Sequence, residues 1–260
     1  MKSVKLYCEP ELVNPCLIAA WPGVGNVASI AATYLKDKLQ AEELGELEPA
    51  GFFDPGGVFI KDNLIDTPGF PDSKFYYWKS EGQGNAIIIF IAEAQPASRA
   101  YDYAGTVLDV AGKFGVNRVY TIAAALTEHH PEQPRVLVAA SSQELLDQLK
   151  SPDVVMAGDF YIAGLNGLLL GAARERGMEG IAFLGETVKY AAKVANPRAS
   201  LEVLKVLTGF IGINIDLTEL EDYADGMEKQ IKHIGNEMKR EFLQNFTKPI
   251  WEREKTEGNG

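Results

Sequence analysis

Cysteine is scarce in this chain: Cys8 and Cys16 are the only two in 260 residues. Two thiols cannot make the disulfide framework that holds small secreted domains together, so a reducing compartment is expected. A basic surplus is also missing. Asp and Glu total 36 against 25 Lys and Arg, a net charge of −11. Such a balance excludes a general phosphate-backbone binder. No apolar run reaches the roughly 18 residues of a membrane span. The opening stretch MKSVKLYCEPELVN has no apolar core of the signal-peptide kind. Together these absences predict a cytoplasmic protein with neither nucleic acid nor membrane as a partner. Familiar catalytic signatures are absent too: no G-x-S-x-G elbow, no Walker loop, no C-x-x-C pair, no H-E-x-x-H and no internal repeat.

What is present is an alternation of apolar runs and helical patterns. The apolar fraction is 46%, ordinary for a globular chain, and the length suits one large α/β domain or two small ones. PCLIAAW, NAIIIFIAEAQ, VNRVYTIAAAL (116–126), RVLVAAS (135–141) and GIAFLGET (180–187) read as strands. The run Ile87 to Ile91 is apolar at every position, which requires cover on both faces, as for a central parallel strand. Helical patterns fall at 27–40, 98–114, 142–150, 164–177 and 198–212, with Ser141 or Ser142 a plausible N-cap. The expected class is α/β, a largely parallel sheet covered by helices.

Two regions break the alternation. Residues 50–85 are punctuated by Gly, Pro, Asp and Asn and read as a hairpin insertion or antiparallel flap on the domain 1–215. Tyr76, Tyr77 and Trp78 there are either exposed at an oligomer interface or ordinary strand residues. Residues 216–246 form a charged amphipathic helix. Leu220, Met227 and Ile234 lie seven apart, as do Ala224, Ile231 and Met238. Gly226 and Gly235 weaken this seam. Leu220, Met227, Ile231, Ile234 and Met238 are therefore candidates for a subunit interface, and 247–260 reads as a mobile tail.

The stretch WPGVGNVAS poses the sharpest chemical question. Gly23, Gly25 and Ala28 fit the spacing of a dinucleotide-binding turn, but a second strand ending in an acidic residue should follow. Glu46 and Glu48 are available on a poor apolar strand, so no dinucleotide is expected. Gly23, Gly25 and Asn26 remain candidates for an anion-binding turn, with Asn26 as helix cap. His129 and His130 lack the spacing of ligands on one helix face; no metal and no cofactor is expected. Glu93, Gln95 and Glu186 sit at strand carboxyl ends, where open α/β sheets bind ligands. Glu93 and Glu186 would be the acid–base pair of an enzyme, or else hydrogen-bond loop amides.

PGVGNVASIAATYL, AEAQP, GLNGLLLGAARERGMEGIAFLGET and NPRASLEVLKVL occur in the order seen in the proteasome-assembly-chaperone family, which includes the second eukaryotic chaperone and its archaeal and bacterial relatives. The resemblance covers residues 15–217 and is most specific at GLNGLLLG, LGET and NPRAS, marking Gln95, Asn166, Gly167 and Glu186 as motif residues. It implies a three-layer α/β/α sandwich like that of nucleoside phosphorylases and peptidyl hydrolases of this architecture. It also implies self-association, as a trimer or larger, and a non-enzymatic role on protein clients such as proteasome subunits. An enzyme acting on a nucleoside or other small molecule is the alternative. Some relatives carry a C-terminal hydrophobic–tyrosine–any-residue tail; this sequence reads EGNG there. The glycine turn is then expected to be a close strand-to-helix turn.

Overall fold

A computed structural model of the chain describes residues 4–67, 69–80, 85–131, 133–156 and 158–247, with side chains through 240. Residues 248–260, nearly all of the expected tail, and residues 81–84 of the expected flap lie outside the described residues. In chain order, strand β1 (Val4–Leu6) and strand β2 (Cys16–Ala20) precede helix α1 (Val27–Lys38) and strand β3 (Glu42–Leu47). Then come the short strands β4 (Ile60–Lys61) and β5 (Leu64–Ile65), β6 (Ser73–Trp78), β7 (Ile87–Ala92) and α2 (Ala100–Lys113). Next are β8 (Arg118–Thr127), β9 (Val136–Ala140), α3 (Gln143–Gln148), β10 (Val154–Met156) and α4 (Gly164–Glu175). The chain continues through β11 (Glu179–Val188), α5 (Pro197–Ile211) and α6 (Thr218–Thr247).

Nine strands form one sheet in the order β1-β3-β6-β7-β2-β8-β11-β9-β10. The four central strands, β7, β2, β8 and β11, are parallel neighbours. Pairing turns antiparallel at β6–β7, β3–β6, β1–β3 and β9–β11. The sheet is thus parallel at its centre and mixed at its flanks, less parallel than expected. The central runs alternate between two cores. Ile18, Ala20, Ile87 and Ile89 pack with α1, α3 and α5; Leu17, Ala19, Ile88 and Phe90 pack with α2 and α4. Successive strand side chains point to opposite faces, so a strand covered on both sides must be apolar at every position. That is the three-layer sandwich. Ser142 caps α3, accepting from the Leu145 N–H at 3.3 Å.

The punctuated region divides in two. β6 is an internal strand of the main sheet, so Tyr76, Tyr77 and Trp78 are half-buried: Tyr76 and Trp78 lie against one core and Tyr77 against the other. They are strand residues rather than an exposed interface patch. Among the described residues, β4 and β5 alone stand apart, as a hairpin of their own. Asp62 and Asn63 both adopt positive φ, 51° and 64°, the pattern of a two-residue turn whose twist matches the paired strands. Among the described residues no helix is long and apolar enough to cross a membrane.

The C-terminal helix packs on its own domain. Leu220 and Ala224 are buried in the core beneath α5, and Ile231 is buried against Val188 and Ala191, with Tyr190 beside them. Assigning Leu220 and Ile231 to contacts between subunits is therefore corrected: the domain itself covers them. Met227 and Ile234 are half-buried and Met238 is exposed. Gly235 has a packing reason, since a Cβ there would stand 2.6 Å from the Tyr190 hydroxyl.

Charge clasps the helix as well. Arg198 on α5 reaches Glu228 at 3.1 Å and also pairs with Asp225, while Lys232 and His130 contact Glu228 at 2.9 Å and 3.3 Å. His130 is thus part of the α6 contact. Burial pushes the Glu228 carboxyl up, but hydrogen bonds from Lys232, His130 and Arg198 more than offset it, holding it below the ordinary carboxylate range.

Two outcomes follow for α6. Ile231→Glu buries an unpaired charge and should cost about 3 kcal/mol of stability, read as a lowered melting temperature with the oligomeric state unchanged. The second concerns pH. A depressed folded-state pKa contributes stability above the unfolded value, about 4.3, which is lost as pH falls through the folded value. Melting temperatures measured from about pH 7 to about pH 3.5 should fall less steeply in Glu228→Gln than in the wild type below the unfolded value. Equal acid slopes would contradict the clasp.

Candidate functional site

The glycine turn joins β2 to α1. Gly25 and Asn26 adopt positive φ, 61° and 50°, and α1 begins at Val27. Their amides have protein partners. Gly25 N–H donates to the Ala192 carbonyl at 2.9 Å, Asn26 N–H to the Gly23 carbonyl at 3.0 Å, and Val27 N–H to Val24. The Asn196 N–H in turn donates to the Gly25 carbonyl at 2.8 Å. The loop from Ala192 to Asn196 therefore packs on the glycine turn through backbone hydrogen bonds. A Cβ on Gly25 would sit 3.1 Å from the Asn196 Cβ, so glycine serves backbone meeting backbone. The Gly25 and Asn26 N–H groups are thereby used within the protein. Asn26 makes no side-chain cap. Asn196 does that for α5, accepting from the Ala199 N–H at 3.1 Å and donating to the Thr187 hydroxyl at 3.2 Å.

The strand that a dinucleotide site requires exists, but in the wrong place. β3 follows α1 yet pairs with β1 and β6, antiparallel to both, and its Glu46 meets Lys5. β2 instead has β7 and β8 as neighbours, so Glu46 is remote from the glycine turn.

The two candidate acid–base carboxylates have separate structural partners. Glu186 is buried and accepts from the Arg135 N–H at 2.9 Å and its guanidinium at 3.0 Å. Glu93, following β7, accepts from the Asp72 N–H at 2.9 Å. β7 and β11 are three strand steps apart, about 14 Å at the usual spacing, beyond the reach of paired carboxylates (roughly 5 to 10 Å).

What the structure does bring together is Gln95, Asn166 and Gly167. Gln95 donates from Nε2 to the Pro22 carbonyl at 3.0 Å and accepts from the Leu165 N–H at 3.1 Å. One carboxamide thus ties the glycine turn to the first turn of α4. Gly164, at φ 72°, gives this contact room, since a Cβ there would be 2.6 Å from Gln95 Oε1. Gly167 admits the Ile162 carbonyl, which would lie 2.1 Å from a Cβ. Between these pieces lies a cleft of about 510 Å³ at the carboxyl ends of the parallel strands, where α/β sheets take ligands. Trp21, Gln95, Leu126, Tyr161 and Asn166 line it; Glu93 and Glu186 do not. Glu186 instead faces a small space beside His130 and Glu228. Trp21 and Tyr161 carried no signal in the sequence beyond their type. The spacing of Gly164 and Gly167 was the readable hint. Among the described residues no group of three or more metal-ligating side chains occurs.

The α4 glycines give an internal control. Gly167→Ala forces a Cβ onto a backbone carbonyl and should destabilise by about 3 kcal/mol. Gly171→Ala, with nothing within 4 Å of the new Cβ, should stabilise by about 0.5 to 1 kcal/mol. Denaturant unfolding of both variants checks the opposite signs.

Residues 17–234 match the sequence profile of the PAC2 family. The uncharacterized protein MJ1210 of Methanocaldococcus jannaschii is 31% identical over 227 residues, covering 87% of this chain and 84% of that protein. Among solved structures, PbaB of Pyrococcus furiosus, an archaeal proteasome activator, superposes with a TM-score of 0.76 at 28% identity, covering 90% of this chain and all of PbaB. PbaA of the same organism, an archaeal homolog of proteasome-assembly chaperone, gives 0.68 at 26% identity, covering 93% of this chain and 95% of PbaA. With a profile match over most of its length and this shared fold, the chain belongs to the PAC2 family.

Proposed function

We propose that this chain is a non-enzymatic, chaperone-like protein that self-associates into a trimer or larger assembly and binds partner proteins, proteasome subunits among them. The observation that carries the reading is the β4–β5 hairpin. Phe59, Ile60, Leu64 and Ile65 are 75%, 71%, 72% and 78% exposed, and Val58 adjoins them. An isolated two-stranded hairpin is at best marginally stable in water, and a contiguous apolar patch of this kind marks an interaction site. The hairpin is hydrogen-bonded apart from the main sheet, and its exposed apolar side chains are available to another chain. Its side chains are the proposed contact of self-association, in place of the stripe on α6 that the domain already covers.

The family supports the same direction: PbaB is described as a proteasome activator and PbaA as a chaperone homolog. The separation of Glu93 from Glu186, each satisfied by a structural partner, supports a binding role over acid–base chemistry. The acidic net charge of −11 supports protein partners over nucleic acid, and the cytoplasm is the proposed setting.

Light scattering after size exclusion should give the wild type a mass of at least three times 28.4 kDa. The triple substitution Phe59→Ser, Ile60→Ser and Ile65→Ser should give the monomer mass with an unchanged circular dichroism spectrum. Immobilised wild type should retain purified proteasome α-subunits. A monomeric wild type refutes the self-association, and a triple variant that still assembles refutes the hairpin as its contact. Failure to retain α-subunits refutes the client assignment separately.

A further inference from the structure

We propose that copies of this chain join head to tail, with the isoleucine face of one β4–β5 hairpin seated in the next copy's cleft between the glycine turn and α4. This docking rests on the self-association proposed above and names the surface that receives the hairpin. A patch that meets its own copy across a two-fold axis closes a dimer and stops there. A ring of three or more needs two different, complementary patches on every copy. The hairpin supplies one. The cleft has the chemistry of the other: about 510 Å³, with no charged side chain in its lining. Leu126, Phe160 and Tyr161 line it and are exposed, Tyr161 by 88%. Three smaller cavities all carry charge: Lys150, Glu202 and Lys205 in one, Arg118 and Glu179 in another, Arg174 in the third. An apolar occupant there would strip charged groups of water with nothing in return.

The hairpin's register decides which of its faces enters. Ile60 pairs with Ile65 and Lys61 with Leu64, and the Asp66 N–H donates to the Phe59 carbonyl at 2.8 Å. Directly paired residues share a face, and successive residues alternate between faces. One face therefore sets Ile60 beside Ile65 with no charge. The other mixes Phe59 and Leu64 with Lys61 and Asp66. Carried into an uncharged cleft, Lys61 or Asp66 would lose its hydration with no partner, so the isoleucine face enters and the mixed face stays toward water. Position agrees with this. Ser73, where the chain returns from the hairpin into β6, lies opposite Ala92 at the carboxyl end of β7. The hairpin's root and the cleft thus share one edge of the sheet. β6 and β8, which contributes Ala123 to Leu126 to the cleft, are three strand steps apart, about 14 Å. Donor and acceptor surfaces of one copy are displaced from each other, as a head-to-tail contact requires.

Complementation between two defective variants is the test, read by analytical ultracentrifugation of the full chain. The double substitution Ile60→Ser and Ile65→Ser spoils the hairpin and leaves the cleft. Ala125→Phe fills the cleft and leaves the hairpin; Tyr161→Asp charges its exposed rim and takes the place of Ala125→Phe should that variant fail to fold. Each variant alone should sediment at the monomer mass of 28.4 kDa. Mixed in equal amounts at about 100 μM, the hairpin and cleft variants should form a heterodimer of twice that mass and nothing larger, because the pair retains one intact hairpin and one intact cleft. Leu64→Ser, on the mixed face, should keep the wild-type mass. If the wild type assembles, three results each overturn the head-to-tail contact and leave the self-association standing: cleft variants that keep the wild-type mass, a mixture that stays monomeric, or a monomeric Leu64→Ser. A hairpin-to-hairpin contact gives the first two. A monomeric wild type removes the self-association and this docking with it.

Discussion

The constraint on which this structure depends is that its central strands have no solvated face. β7 and β2 place alternate side chains in two separate cores, so each needs a helical layer above and below. α1 and α5 supply one layer, α2 and α4 the other. Parallel strands need crossover connections; α1, α2 and α4 lie in those connections, and α5 follows the last strand to complete its layer. The arrangement brings every loop that leaves the carboxyl end of β7, β2, β8 or β11 to one edge of the sheet. There the glycine turn, Gln95 and the start of α4 meet, although they are about 70 residues apart along the chain at each step.

At that edge the chain contacts itself through backbone. The Gly25–Ala192 and Asn196–Gly25 hydrogen bonds join two loops more than 160 residues apart, and Gly167 accepts the Ile162 carbonyl at a distance no side chain would permit. These glycines therefore act as spacers between elements. A phosphate-binding turn and a self-contacting turn use the same residue types, because both need amides exposed at short range. The difference lies in what the amides meet, and here the Gly25 N–H meets the Ala192 carbonyl.

How far the sequence could be read follows from the range of the interactions involved. β2 and β7 were legible because burial on both faces makes a run apolar without interruption, and β8, β9 and β11 by their apolar stretches. β1, β3 and β10 were not. β3 reads EELGEL and is a strand because antiparallel neighbours on both sides complete its hydrogen bonds. The α6 stripe was legible as a stripe, but its partner was not, since Val188, Ala191 and Tyr190 arrive from a distant turn. Motif residues Gln95, Asn166 and Gly167 converge as one site, whereas Glu186, the fourth, serves a local contact with Arg135. Glu93 was placed at the correct edge, but it bonds a loop amide instead of facing the cleft.

The outermost strands of the main sheet are β1 and β10, with three residues each. Edges this short offer little unpaired backbone for another chain's strand to continue. The sheet thereby resists growth by strand addition. Any partner would have to be met through side chains, whose shape and chemistry can discriminate between partners. An exposed apolar hairpin and a main sheet with short edges can thus coexist in one chain.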